Sequence, residues 1–230
     1  MTHKTIIAAI TAFVASFIFS ADVSANDGAY QVVSPDGHLS ATVVVGSDIS
    51  YTVSRDALQL IAPSQISMTL SDGIVFGQDD KVRKVRRDSR DQVWQATVYK
   101  KSDVRDHYNE MTLEFKEFSL TFRAYDDGVA YRFASKLKGD FTVMSEKAEF
   151  AFAKDWDAFI PYVKQHTKTL ETQYFNSFEN TYKEHRLSEW NKSRLAFAPL
   201  VVNADNGVKV LLTEADHLDY PGMFLYNEGD

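Results

Sequence analysis

Apolar and polar side chains alternate along much of this chain, and a two-residue period puts successive side chains on opposite faces of an extended strand. Leu39-Ser40-Ala41-Thr42-Val43-Val44-Val45 carries the pattern just after Ser34-Pro35-Asp36-Gly37, a run of turn formers. Residues 49–54 repeat it, and residues 92–100 set Val93, Gln95, Thr97 and Tyr99 against Trp94, Ala96, Val98 and Lys100. Residues 111–115 and 119–124 are separated by Lys116-Glu117-Phe118, the spacing of a hairpin. Asp126-Asp127-Gly128 then turns the chain into Val129-Ala130-Tyr131-Arg132-Phe133. Further strands are expected over 148–153, 195–202, 208–213 and 223–226, with Asp205-Asn206-Gly207 as the turn between the second and third of these. Strong helical periodicity is absent, so the pattern predicts an antiparallel all-β domain, a sandwich or barrel. Residues 162–191 break the alternation. They are polar and rich in rings (Tyr174, Phe175, Phe178, Tyr182, Trp190), and a long aperiodic stretch inside a compact domain points to function.

Residues 1–25 follow another logic. Lys4 precedes an uncharged, almost wholly apolar run over 6–19, and Val23-Ser24-Ala25 places small residues where a signal peptidase cuts. The run is shorter than the ~20 residues that cross a hydrocarbon core, so it reads as a leader cleaved after Ala25 and not as a membrane anchor. With no cysteine to carry a lipid, the mature residues 26–230 are expected to be soluble in the periplasm or secreted.

Composition narrows the function classes. A chain that is 44% hydrophobic and 25% charged, with 10 Gly and 5 Pro, is neither disordered nor of low complexity. A formal charge of -7 opposes binding to a nucleic-acid backbone. The absence of cysteine removes disulfides, thiolate metal sites and a cysteine nucleophile together.

Four stretches carry candidate chemistry. Lys81, Arg83, Lys84, Arg86, Arg87 and Arg90 form a basic run, but the interleaved Val82, Val85 and Asp88 favour a solvated strand face. Residues 102–110 hold a His107–Asp106 neighbour pair without a nucleophile at a useful spacing, which reads as a structural polar cluster. Residues 171–182 offer Glu171, Glu179 and amide oxygens among aromatic rings, a chemistry that suits a sugar or calcium and equally a packed core. Residues 213–223 place Glu214, Asp216 and Asp219 in what is either a ligand set or a charged turn. A mutarotase-type enzyme would need a paired histidine and carboxylate, and no spacing singles out His107, His166, His185 or His217.

These stretches together resemble the N-terminal domain of glycoside hydrolase family 97. The likeness runs in order through Ser34–Gly37, Val104-Arg105-Asp106-His107-Tyr108-Asn109-Glu110, residues 122–133, Phe178-Glu179-Asn180-Thr181-Tyr182, Leu212-Thr213-Glu214-Ala215-Asp216 and Asp219-Tyr220-Pro221-Gly222-Met223. The resemblance implies a β-supersandwich of the galactose-mutarotase-like type, expected to be incomplete at its C-terminal end, where Asn227-Glu228-Gly229-Asp230 forms a turn after the last strand. It implies an exported bacterial α-glycosidase acting on α-linked oligosaccharides, with a (β/α)8 barrel that packs on this domain and carries both catalytic carboxylates, so no catalytic residue is expected here. It also implies calcium, completed by barrel glutamates, with Glu179 as the one ligand from this domain and Glu214 in reserve. The alternative is a standalone carbohydrate-binding module.

Overall fold

The computed structural model describes residues 28–164, 169–176, 179–215, 218 and 220–229. The leader, His166, Phe178, Asp216, His217 and Asp219 lie outside the described residues. The strands are β1 (Ala29–Val33), β2 (Leu39–Val45), β3 (Ile49–Arg55), β4 (Leu58–Leu70), β5 (Val75–Phe76), β6 (Lys84–Gln95), β7 (Asp103–Glu114), β8 (Phe118–Tyr125) and β9 (Val129–Ser135). They continue with β10 (Val143–Ala148), β11 (Asp157–Ile160), β12 (Lys183–Arg186), β13 (Ala196–Phe197), β14 (Leu200–Asn203), β15 (Lys209–Leu212) and β16 (Phe224–Leu225). All pairings are antiparallel, and the only helices among the described residues are three short 3-10 turns.

One sheet runs β1-β2-β3-β4-β10, with β5 added to β4, and a second runs β6-β7-β8-β9. Their apolar faces form the main core. Val32, Ala41, Val43, Ile49, Ile61 and Ile66 come from the first sheet, and Met111, Leu113, Phe118, Leu120, Phe122 and Ala124 from the second. The alternation read in the sequence is the cause: Phe118, Leu120, Phe122 and Ala124 all point inward from β8, and the residues between them face outward. The turns expected around them form as well. Gly37 takes a left-handed φ of 82° while Ser34 Oγ accepts from Leu39 N at 2.9 Å, and Tyr125 N donates to Gly128 O at 2.7 Å.

A third sheet, β12-β11-β14-β15, and a two-stranded β13-β16 pair sit beside this sandwich. Their core gathers Trp156, Ala158, Ile160, Trp190, Leu200 and Val202 with Leu60 of β4. β4 therefore serves two cores. Its neighbours Leu60 and Ile61 are both buried, one in each core, because alternation points them to opposite faces and both faces are covered.

Several strand limits differ from the periodicity. The alternation over 92–100 is the end of a strand that starts at Lys84 and stops at Gln95, where the chain turns. The strand expected over 148–153 lies earlier, at Val143–Ala148, and 195–202 divides into β13 and β14. β1, β4, β11, β12 and the first half of β7 lack a clean period-two signal. β4 straddles two cores, and β12 and the start of β7 are mostly exposed.

Phe118 is the hub of the main core. It stacks on Phe115 at 4.4 Å and on Phe76 at 4.7 Å between ring centroids, and it tilts against Phe133 at 5.6 Å. Phe118→Ala is expected to destabilise the domain by ~3–5 kcal/mol through lost burial and the cavity left behind. Urea denaturation would measure it, and Ser119→Ala on the outward face serves as a near-neutral reference.

Candidate functional site

The aperiodic segment is an excursion closed at its neck. Val163 N donates to Leu195 O at 3.0 Å and Phe197 N to Pro161 O at 3.1 Å, so the chain leaves the third sheet and returns to the same place. Tyr162 organises what lies between. His185 stacks on its ring at 5.7 Å, Trp190 meets it edge-on at 5.6 Å, and the Arg194 guanidinium lies 4.7 Å over it. The Tyr162 hydroxyl accepts from Asn191 N at 2.8 Å and shares a 3.0 Å hydrogen bond with His185 Nε2. His185 Nδ1 lies 2.8 Å from Arg186 O, and a carbonyl only accepts, so in the neutral ring Nδ1 carries the proton and Nε2 accepts from the tyrosine. Burial raises the Tyr162 pKa, and the Asn191 N–H opposes it less strongly.

Gln173 is the second anchor, a buried polar side chain in the 3-10 turn Glu171–Tyr174. Its Nε2 donates to Ser193 O at 2.7 Å and its Oε1 accepts from Leu195 N at 3.0 Å, tying the outgoing limb of the excursion to the returning one. Arg194 also donates to Val163 O.

These anchors place Glu179. Asn180 Nδ2 donates to Tyr162 O at 3.0 Å, and its Oδ1 accepts from Thr181 N at 2.9 Å. The adjoining Glu179 is exposed, and among the described residues its carboxylate makes no hydrogen bond or ion pair. Tyr182 follows with its hydroxyl on Pro199 O at 3.2 Å, and Tyr174 and Phe175 are exposed on the same segment. Glu171 is exposed as well. Glu214 is used differently: it is half-buried, and its Oε1 accepts from Met223 N at 2.5 Å, closing the 214–223 loop.

Among the described residues no group of three or more His, Asp and Glu side chains could hold a metal ion. Calcium takes about 6–8 oxygens, and one carboxylate supplies at most two. Glu179, a hard anionic donor on a pinned backbone and facing solvent, fits as one ligand of a larger set.

The other polar stretches are structural. Arg105 grips Asp91 with two 2.7 Å hydrogen bonds, Asp106 accepts from Gln92 at 2.8 Å and Trp94 at 3.3 Å, and Glu110 pairs with Arg123 at 2.7 Å. His107 Nδ1 lies 3.5 Å from Asp126 and not against its sequence neighbour Asp106. The basic run lies partly on β6, exposed as a solvated strand, with Arg86 on Glu114 and Arg87 donating to Gln31 O at 2.7 Å. Sequence reasoning missed Tyr162, Gln173, His185 and Arg194 as the scaffold of the excursion. A glutamine in a polar stretch gives no periodic signal of burial, and the one available hint was the apolar flank Phe159-Ile160-Pro161 before Tyr162.

Comparison with known proteins places this geometry. The family model described as glycosyl-hydrolase 97 N-terminal matches residues 32–230. A retaining alpha-galactosidase from Bacteroides thetaiotaomicron is 43% identical over 198 residues, covering 85% of this chain and 30% of that protein. Among solved structures, a glycoside hydrolase family 97 enzyme from Pseudoalteromonas sp. strain K8, in complexes with panose and with acarbose, superposes with a TM-score of 0.73 at 25% identity, covering 86% of this chain and 30% of that one. A beta-arabinopyranosidase shares the fold at a TM-score of 0.67 and 23% identity, over 79% of this chain and 31% of its own. The chain thus spans about 30% of the length of these relatives.

Gln173→Leu leaves the Leu195 N–H buried without an acceptor, so a loss of ~1–3 kcal/mol is expected in chemical denaturation. At the fringe of the sheet, Ser188 N–H and hydroxyl, with Arg186, hold the Asp155 carboxyl below its ordinary 3.8, and Lys154 with the Trp156 N–H does the same for Asp205. A carboxyl depressed in the folded state stabilises above its unfolded value and loses that contribution as pH falls through its folded one. The melting temperature is therefore expected to fall on acidification below about pH 4, and Asp155→Asn to flatten that fall.

Proposed function

The chain belongs to the glycosyl-hydrolase 97 N-terminal family, and from that membership we propose that it is the N-terminal, non-catalytic part of an exported, calcium-dependent α-glycosidase that hydrolyses α-linked oligosaccharides. The observation that carries this reading is the 43% identity to a retaining alpha-galactosidase across nearly the whole described chain. An α-galactoside is accordingly the first substrate to test, with an α-glucoside beside it.

In this reading the chain's own residues do three things. The sandwich packs against a catalytic barrel, the excursion after β11 walls one side of the sugar pocket, and Glu179 offers its carboxylate to calcium. The support for the last role is local: Asn180 is pinned to the Tyr162 carbonyl, so the backbone beside Glu179 is held while its side chain stays exposed. Calcium in such a site supplies a fixed positive charge that positions sugar and carboxylates. The two groups that act on the glycosidic bond, spaced by about 5–9.5 Å in such enzymes, would come from the barrel. The leader over residues 1–25 would deliver the protein to the periplasm or the medium. The exposed rings of Tyr174, Phe175 and Tyr182 support a second reading, a sugar-binding module without catalysis.

The test compares the full-length protein with its Glu179→Gln variant. Hydrolysis of an α-galactoside or α-glucoside is expected to be lost on chelation and restored by calcium. The variant is expected to need roughly tenfold or more calcium for half-maximal activity, with an unchanged melting temperature. An identical calcium requirement removes Glu179 from the site. Sugar binding with no hydrolysis of either glycoside favours the second reading. Residues 26–230 alone are expected to show no micromolar calcium affinity in calorimetry.

A further inference from the structure

Among the described residues β6 is an edge strand: β7 pairs with one side of it, and no described strand pairs with the other. Eleven of its twelve residues are exposed. Ala96 N donates to Ser102 O at 2.8 Å, one step beyond the Gln95↔Asp103 pair of an unbroken register. Even-numbered residues therefore turn their backbone groups to β7, and odd-numbered ones turn theirs to the open edge. Ser89 N agrees, for it is satisfied by the Asp88 carboxylate at 2.9 Å and not by β7.

The two charges on each side of Ser89 have opposite signs at equal distances from it, Asp88 against Arg90 and Arg87 against Asp91. In an antiparallel pair of two copies centred there, Asp88 faces Arg90, Arg87 faces Asp91, Val85 faces Val93 and Lys84 faces Trp94. The Asp88–Arg90 pair occurs twice across the twofold axis, as do the Arg87–Asp91 pair, whose members also hold Gln31 O and Arg105 within their own copy, and the lysine–tryptophan pair, whose cation–π attraction adds to the seam. Neighbouring registers are opposed. Centring on Arg87, Asp88, Arg90 or Asp91 sets two like charges against each other on the axis, and Ser89 is the one centre of this stretch that does not. Strand edges are ordinarily protected by lysines or by charges that repel a second edge. Here the signs alternate so as to attract the strand's own copy.

We propose that β6 is a homodimer seam, in which a second copy of this protein adds its β6 antiparallel across a twofold axis at Ser89 and joins the two β6-β7-β8-β9 sheets into one. The interface is isologous, and the odd-numbered residues exchange backbone hydrogen bonds across it. The Ser89 N–H leaves its own Asp88 for the partner's carbonyl, which frees the Asp88 carboxylate to meet Arg90 of the other copy.

The experiment is sedimentation of the full-length protein over a range of concentrations and salt, with four variants. The native protein is expected to dimerise, more weakly in high salt. Ser89→Pro removes the outward N–H without touching the ladder to β7, and Asp88→Arg or Arg90→Asp alone sets like charges opposite each other. Each is expected to raise the dimer dissociation constant by roughly tenfold or more. The double variant Asp88→Arg/Arg90→Asp restores the complementarity and is expected to dimerise again, with circular dichroism and melting confirming the fold of all four. A native protein that stays monomeric at every concentration overturns the proposal, as does a dimer that survives Ser89→Pro.

Discussion

Leu60 and Ile61 are neighbours in the chain, and both are buried, yet they enter different cores. Alternation points adjacent side chains to opposite faces of a strand, and in a one-sided sheet one of them meets water. In β4 both faces are covered. The main core shared with the second sheet closes over one side, and Trp156, Ile160 and Val202 close over the other. This shared strand fixes the small third sheet against the sandwich, and the third sheet carries the excursion on which Glu179 stands. The position of the candidate ligand therefore traces back to apolar burial on the two sides of one strand.

The excursion itself is held by polar groups, and the chemistry explains why. Its backbone makes few ladder bonds, so its N–H and C=O groups need other partners once buried. Gln173 supplies one donor and one acceptor to the returning limb, Asn180 reaches the Tyr162 carbonyl, and the Tyr162 hydroxyl caps Asn191 N. Tyr162 also offers a ring face to Arg194 and a stacking surface to His185. A network satisfied in this way specifies one geometry, because each partner lost would leave a buried polar group unmet. Glu179 is one of the exposed carboxylates that this network leaves unengaged among the described residues, with Glu171 and Glu184. Glu214, engaged by Met223 N, is partly spent.

Charge is deployed for two different ends across the molecule. Inside the second sheet, pairs such as Arg123–Glu110 and Arg105–Asp91 join adjacent strands on exposed or half-exposed faces, where each adds modestly to a ladder already formed. Along β6 the same residue types lie on an edge that no described strand pairs with, and their order decides whether a second edge is attracted or repelled.

The alternation of residues by itself determined the all-β class, the inward face of β8, the β7–β8 hairpin and the turns at Gly37, Gly128 and Asn206, because a period of two and a turn residue are local properties. Ordered motifs pointed to the family and to Glu179. What residues 58–70 would do was not legible, since a strand buried on both faces has no period, and neither was the β12 strand, which is almost wholly exposed. Gln173, Tyr162 and His185 became a scaffold only once folding brought residues ~20 positions apart to within hydrogen-bond reach, and a pairing of that range leaves no mark on the local pattern. Tertiary structure also decided that His107 faces Asp126 and not its neighbour Asp106, because successive side chains on a strand point away from each other.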